Sequence, residues 1–491
     1  MSQLALVIDL DVCVGCHACV TSCKQWNTSG AAGPLSDVDP YGPDTSGVFF
    51  NRVQTFEVGA FPATEVLHFP KSCLHCKDAP CVPVCPTGAS YKRAEDGIVL
   101  VDADKCIGCK YCSWACPYGA REFDEPRGVM TKCTLCVDRV HDMSIPESRR
   151  KPACVNACPT NARLFGDVDD PESEVSRAIA ERGGFAPMPE LGTRPANHYL
   201  PRRTMRDATP QLQTASPEPA VPARSAGVLD WLGAVALGCS FAHLGQPLRA
   251  WRAAAMWRTS WLSREVMAVS AFLALTLAGA LSVDRTGAWP GWLQALSVLE
   301  ALLLWLCTGK VYAAIAFIRE WATPLTPLNF ALMGLASGHL VAATALAAAH
   351  APAAALVARL ALLWTALAWA CRAGALARLK RLRRAGSTQG AVGAGSRPVR
   401  QVSRGFTAGS FNLEEFGLNA SALLLGRLRS LYMTLGFALP SVVLAALLAA
   451  PPRAAWLGLL ALLQFAALLG ERWDFFAQVD HPQNHYYAAA H

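Results

Sequence analysis

The first 158 residues of this 491-residue chain carry sixteen of its nineteen cysteines, in four groups of four. The groups are Cys13, Cys16, Cys19 and Cys23; Cys73, Cys76, Cys81 and Cys85; Cys106, Cys109, Cys112 and Cys116; and Cys133, Cys136, Cys154 and Cys158. Thiols at this density do not make an ordinary apolar core, so the fold has to form around whatever they bind. Groups one and three read C-x2-C-x2-C-x3-C. This is the bacterial ferredoxin spacing, in which three thiolates hold one 4Fe-4S cluster and the fourth reaches a neighbouring cluster. Proline follows the last cysteine of three groups, at Pro86, Pro117 and Pro159, where it ends a helix and turns the chain away; Lys24 stands there in the first group.

Zinc and disulfides are the competing readings. A zinc site takes two cysteine pairs roughly a dozen or more residues apart, which these crowded groups do not offer. The opening MSQLALVIDLDVC has no basic region, sustained apolar region or twin arginine, so filling in a reducing cytoplasm is expected, where metal ligation prevails over disulfides. Sixteen thiolates make four sets of four, so four 4Fe-4S clusters would use them all. The groups have to pair because each last cysteine serves another cluster, and the spacing leaves open which groups pair.

Nearly all the long apolar runs lie after Gly227. Residues 204–226, rich in proline, serine and alanine, read as an extended linker. Seven stretches beyond it approach the roughly 20 apolar residues that span a bilayer: 227–247, 264–283, 292–317, 325–349, 352–371, 426–450 and 453–472. The expected fold class is an α+β ferredoxin-like domain binding four iron-sulfur clusters (1–203), then an all-α transmembrane helix bundle (227–477) and a C-terminal tail (478–491). Cys239, Cys307 and Cys371 lie singly in apolar runs and read as small packing residues. The formal charge of +7 is modest and concentrated in membrane loops, so no nucleic-acid partner is expected.

The stretches SCLHCKDAPCVPVCPTGASYKRAEDGIVLVDADKCIGCKYCSWACPYGAREFD, GVMTKCTLCVDRV and PACVNACPTNARLFGD resemble the four-cluster subunit of membrane-bound molybdopterin oxidoreductases. DPESEVSRAIAERGG with MPELGTRPANHYLPRR is most similar to the cytoplasmic sulfite dehydrogenase branch, with dimethyl sulfoxide reductases as cousins. The resemblance covers residues 1–203 and implies nested pairing. Cys73, Cys76, Cys81 and Cys116 would form one ligand set, and Cys106, Cys109, Cys112 and Cys85 another. Cys13, Cys16, Cys19 and Cys158 would form a third, and Cys133, Cys136, Cys154 and Cys23 the fourth. Some relatives replace a cysteine of the third group and hold a three-iron cluster; all four are present here, so four-iron clusters are expected throughout.

In the second half, HLGQP, RAW and SWLSRE resemble the quinol-site segment of the membrane anchor in the same family, and VYAAIAFIREW, TPLNF and ERWDFFAQVDHPQNHYY resemble later parts of it. The chain thus looks like two subunits fused. By this resemblance His243 and Glu265 map onto the quinone site, with Arg249 a weaker candidate. A quinone exchanges protons with its electrons, and imidazole titrates near neutrality. The bland alternative is a helix-capping histidine and a surface ion pair, in which case His339 or Glu471 become the positions to test.

The resemblance implies a subunit that links a separate molybdopterin catalytic subunit to the membrane quinone pool, in sulfite oxidation or, alternatively, in reduction of dimethyl sulfoxide or a related oxide. A rival of another class is a metal-stabilised membrane module without redox role. The 372–404 loop carries nine basic and no acidic residues, and Arg249, Arg252, Arg258 and Arg264 share its side, which is cytoplasmic by the positive-inside rule for a bacterial inner membrane. Seven spans would put the cluster domain on the opposite face from this one, whereas electron transfer to a quinone near His243 requires the same face; proximity is taken to win.

Overall fold

The hydrophobic run LALVID near the N-terminus forms the central strand of the first sheet, with Ala5 to Ile8 fully buried. A computed structural model describes residues 2–28, 47–203, 244–382, 386–403, 422–447, 453–479 and 481–486. Its strands are β1 (Leu4–Asp9), β2 (Arg52–Val58), β3 (Glu65–Lys71), β4 (Ser90–Lys92), β5 (Val99–Val101), β6 (Glu122–Asp124), β7 (Val129–Thr131), β8 (Arg163–Asp167), β9 (His198–Leu200) and β10 (Val399–Ser403). β1 lies between antiparallel β8 and parallel β9, while β4–β5 and β6–β7 are antiparallel pairs. Leu6, Ile8, Val53, Phe56, Phe69 and Tyr199 pack with Cys19, Cys23, Cys76, Cys116, Cys133 and Cys154 in one core. The first half is therefore α+β, and its cysteines are part of its interior.

Six helices among the described residues are long and apolar enough to cross a bilayer: Trp261–Val283, Gly291–Ala313, Leu325–Ala348, Ala354–Leu379, Leu424–Ala446 and Ala454–Ala477. Much of their apolar surface faces outward, as at Leu277, Trp292, Val298, Leu299 and Leu462, which suits lipid rather than water. Between helices, Leu340, Ala343, Ala354, Ala358, Ala361 and Leu457 close tightly, the small-residue packing of membrane bundles.

These six correspond to the last six expected spans, with shifted ends. The first starts at Trp261 because Ser260 caps it, its side chain accepting from Ser263 N. The fourth runs on to Leu379 rather than stopping near residue 371, because Arg372 meets buried carboxylates of the sixth helix. The expected linker lies outside the described residues, as does the expected span 227–247 apart from its last four residues. Three of those four are bends leading into the 3-10 helix Pro247–Ala254, which the fourth begins.

The bundle and the cluster domain interlock. Ser260 Oγ donates to Val84 O at 2.9 Å and Ser263 Oγ to Pro86 O at 3.1 Å, so the first helix starts against the second cysteine group. Tyr111 OH donates to Val311 O at 2.5 Å, placing the end of the second helix against the third group. After the fourth helix the chain returns to the cluster domain, and β10 pairs antiparallel with β2, Val399 opposite Val58 and Gln401 opposite Phe56. The expected tail also docks: Tyr486 stacks on Phe69, and Gln401 Nε2 donates to Tyr486 O at 3.0 Å.

Candidate functional site

Each of the four C-x-x-C loops turns through one residue of positive φ placed before the second cysteine: Gly15 (67°), His75 (45°), Gly108 (68°) and Leu135 (52°). The left-handed turn folds the loop so that backbone N–H groups point back at sulfur, as Gly108 N does toward Cys106 Sγ at 3.4 Å. Met130 N also donates to Cys106 Sγ, Ser90 N to Cys85 Sγ and Ala153 N to Cys136 Sγ, each at 3.4 Å. Such donors stabilise thiolate, the state a metal requires.

Fifteen of the sixteen cysteines fall, by their mutual electrostatic influence, into four places. Burial pushes the Cys76 thiol up, and Cys73, Cys81 and Cys116 push it further. Burial likewise raises Cys109 to about 12, with Cys85 and Cys106 adding to the effect, and Cys112 is raised by burial and by Cys85, Cys109 and Cys106. Cys23 is raised by burial and then by Cys133, Cys154 and Cys136, and Cys13 by burial, Cys19 and Cys158. Cys16 is exposed on the first loop, following Gly15. Thiolates brought this close repel, so the donor chemistry of each place fits a cationic core shared among them.

The places adjoin one another. Cys154 of one set is coupled to Cys19 of the next, and Cys133 to Cys73. Taken from the exposed Cys16 inward, the order is Cys13/Cys16/Cys19/Cys158, Cys23/Cys133/Cys136/Cys154, Cys73/Cys76/Cys81/Cys116 and Cys85/Cys106/Cys109/Cys112.

The last set meets the membrane bundle at a cavity of about 330 Å³. Cys109, Tyr111 and Trp114 line it from the cluster domain, Leu244, Ala250 and Ala253 from the docking segment, and Leu262, Glu265, Tyr312 and Trp321 from the bundle. Thr308 Oγ1 donates to Glu265 Oε1 at 2.6 Å. Burial, Tyr312 and Glu265 together push the Tyr111 phenol well above its ordinary value. The wall is mostly apolar with a few convergent polar groups, as in small-molecule sites. The docking segment meets the cluster domain in a close backbone contact: a Cβ on Gly245 would lie 2.1 Å from Gly128 O, and one on Gly108 2.4 Å from the same atom. Gln246 N donates to Ile107 O at 3.0 Å beside it.

Of the expected quinone-site residues, Glu265 lines the cavity. His243 lies outside the described residues, one position before the cavity-lining Leu244. Arg249 is placed elsewhere, donating to Ala103 O at 2.8 Å, so it clamps the docking segment to the cluster domain. His339 bonds Leu335 O within its own helix. Glu471 belongs to a buried ionic group in which Arg372 meets Glu471 at 2.9 Å and Asp474 at 2.8 Å, Arg429 meets Asp474 at 2.9 Å, and Tyr432 OH donates to Asp474. Sequence reasoning missed Tyr111, Thr308, Tyr312 and Trp321, whose meeting depends on tertiary contacts, and only the VYAAIAFIREW stretch hinted at two of them.

Residues 64–168 match the 4Fe-4S dicluster domain family, and residues 220–392 match the DMSO reductase anchor subunit (DmsC) family. The chain is 73% identical over 206 residues to a sulfite dehydrogenase subunit of Allochromatium vinosum, covering 42% of this chain and 86% of that protein. It is 41% identical over 269 residues to a second, different sulfite dehydrogenase subunit of the same organism, covering 51% of this chain and 81% of that protein. It is also 38% identical over 200 residues to a tetrathionate reductase subunit of Salmonella typhimurium, covering 40% of this chain and 72% of that protein.

Proposed function

The chain belongs to the family of electron-transfer and membrane-anchor subunits of sulfite dehydrogenase and dimethyl sulfoxide reductase type, with the two subunits fused in one polypeptide, and we propose that it carries electrons from sulfite oxidation to membrane quinone. Four 4Fe-4S clusters would occupy the four cysteine sets with the nested ligands given above, and when bound they supply one-electron transfer without proton movement. The oxidation itself belongs to a separate molybdopterin protein. That partner docks at the exposed Cys16 end, where Val12 and Val14 are also exposed.

The observation that carries this reading is Cys109: one cysteine of the last set lines the same cavity as Glu265. A quinone head group there would lie beside the end of the wire. Tyr111 and Tyr312 offer hydroxyls to orient it, Trp114 and Trp321 exclude water, and Glu265, with His243 from the adjoining segment, exchanges the protons. The basic residues on the cluster face support a cytoplasmic orientation at the inner membrane.

The dicluster and anchor matches equally suit the reverse flow, from quinol to a sulfoxide. The test uses membranes holding the chain with its catalytic partner. Iron and acid-labile sulfide are each expected at about 16 per chain, and sulfite is expected to drive quinone reduction. About two zinc ions per chain with little iron would overturn the wire, and activity with dimethyl sulfoxide but not sulfite would select the reductase reading.

A further inference from the structure

Two stretches repeat with the same register. CPYGAREF at 116–123 and CPTNARLF at 158–165 each place an arginine five residues after the last cysteine of a group, at Arg121 and Arg163. The turn before each arginine is also the same, with Gly119 at φ 55° and Asn161 at φ 53°. Both arginines lead into short strands and point inward: Arg121 is 1% exposed and Arg163 3%. A guanidinium buried this deeply costs several kcal/mol of desolvation unless negative charge surrounds it.

Each donates to a neutral oxygen. Arg121 Nη2 donates to Ser90 Oγ at 2.8 Å, and Ser90 occupies the corresponding fifth position after Cys85. Arg163 Nη2 donates to Asn51 Oδ1 at 2.9 Å, while its Nη1 faces Cys154 Sγ at 3.6 Å. The negative groups around them are cysteine sulfurs. For Arg121, burial opposes the charge, and Cys81, Cys112, Cys73 and Cys116 outweigh it. For Arg163, burial is outweighed chiefly by Cys19 and Cys154. Arg121 thus stands between the third and fourth cysteine sets, and Arg163 between the first and second.

We propose that Arg121 and Arg163 are positioning residues that set reduction potential, one buried cation serving each adjacent pair of clusters. The inference rests on the four-cluster reading. Each cluster gains one electron and no proton on reduction, so its charge becomes more negative by one. A fixed cation close to two clusters favours the reduced form of both and raises both potentials, leaving the other pair nearly unaffected because the attraction falls with distance. The repeat therefore divides the wire into two electrostatic halves.

The experiment is a redox titration of the full chain followed by electron paramagnetic resonance, on R121Q, R163Q and the charge-preserving R121K and R163K. Iron content is measured first; wild-type iron far below about 16 atoms per chain rejects the four-cluster reading, and the proposal falls with it. Given full iron, R121Q is expected to lower the midpoints of two signals, R163Q those of the other two, and the lysine variants to stay near wild type. Unchanged midpoints in both glutamine variants, or the same signals moving in both, would overturn the proposal. If a glutamine variant assembles poorly, loss of about half the iron with two signals intact supports pairwise service, and loss of all four contradicts it.

Discussion

Glu265 is anchored by one hydroxyl, Thr308 at 2.6 Å, and otherwise faces a cavity walled by tyrosine, tryptophan and alkyl groups. A carboxyl in that setting has a polar tether on one oxygen and the other turned toward a substrate proton. E265Q keeps the shape and still accepts from Thr308, but cannot exchange a proton. Quinone turnover is expected to fall at least about tenfold, within the usual range for a lost acid-base group, while transfer to a soluble acceptor persists. H243A is expected to behave alike, and full quinone activity in both variants would place proton exchange elsewhere. The cysteines stood out in the sequence because a ligand loop is a local object, each group opening on a C-x-x-C pair. Arg121 and Arg163 were visible in the quoted motifs yet carried no signal of burial, since a charged residue is buried only by what folds over it.

At the scale of elements, one contact ties the end of the bundle to the cluster domain and another ties the bundle to itself. His481 lies just past the sixth helix, fully buried, with Nε2 on Trp114 O at 3.0 Å and Nδ1 accepting from Gln483 N at 3.2 Å. Both bonds suit a neutral ring, and burial lowers its pKa to about 4. A released segment would take up a proton near pH 6.5 that the docked one refuses. Docking is thus at full strength above that pH, weakens as pH falls toward 4, and loses about 2 kcal/mol by pH 5. Hydrogen exchange over 481–486 should show protection at pH 7.5 declining by pH 5, and H481Q should remove the step; equal protection at both pH values would contradict this. Within the bundle, the ionic group around Arg372 links the fourth, fifth and sixth helices. Removing that cation leaves Glu471 and Asp474, both fully buried, with Arg429 and Arg472 as the remaining cations beside them. R372M should destabilise the bundle by on the order of 3 kcal/mol, read as a lower melting temperature in detergent with iron content unchanged; an unaltered melt would show that the pair is expendable. The apolar runs predicted where these six helices start to within a few residues. The fourth nevertheless overran its hydrophobic stretch at the far end, because Arg372 is satisfied across the bundle rather than by sequence neighbours.

For the molecule as a whole, the chain crosses back and forth yet repeatedly returns to the cluster domain: at Gln246 against Ile107, at β10 against β2, and at Tyr486 against Phe69. The first helix begins against the second cysteine group and the second helix ends against the third, so these two helix ends lie on the side of the bundle that carries the cluster domain. β10 could not be read from sequence, because a five-residue strand in a basic loop pairs with β2, which lies in the first 60 residues of the chain. The cavity is likewise a product of three separated segments. In the proposed function, electrons leave the last cysteine set through this cavity. The most direct measurement of that step is the reoxidation of dithionite-reduced clusters by a long-chain quinone confined to the lipid of a nanodisc, followed by visible absorbance in wild type and in A253W, whose indole would fill the space beside Ala253. The expected result is rapid reoxidation of wild type and at least about tenfold slower reoxidation of A253W, with ferricyanide oxidising both equally; quinone reoxidising A253W at the wild-type rate would contradict the account.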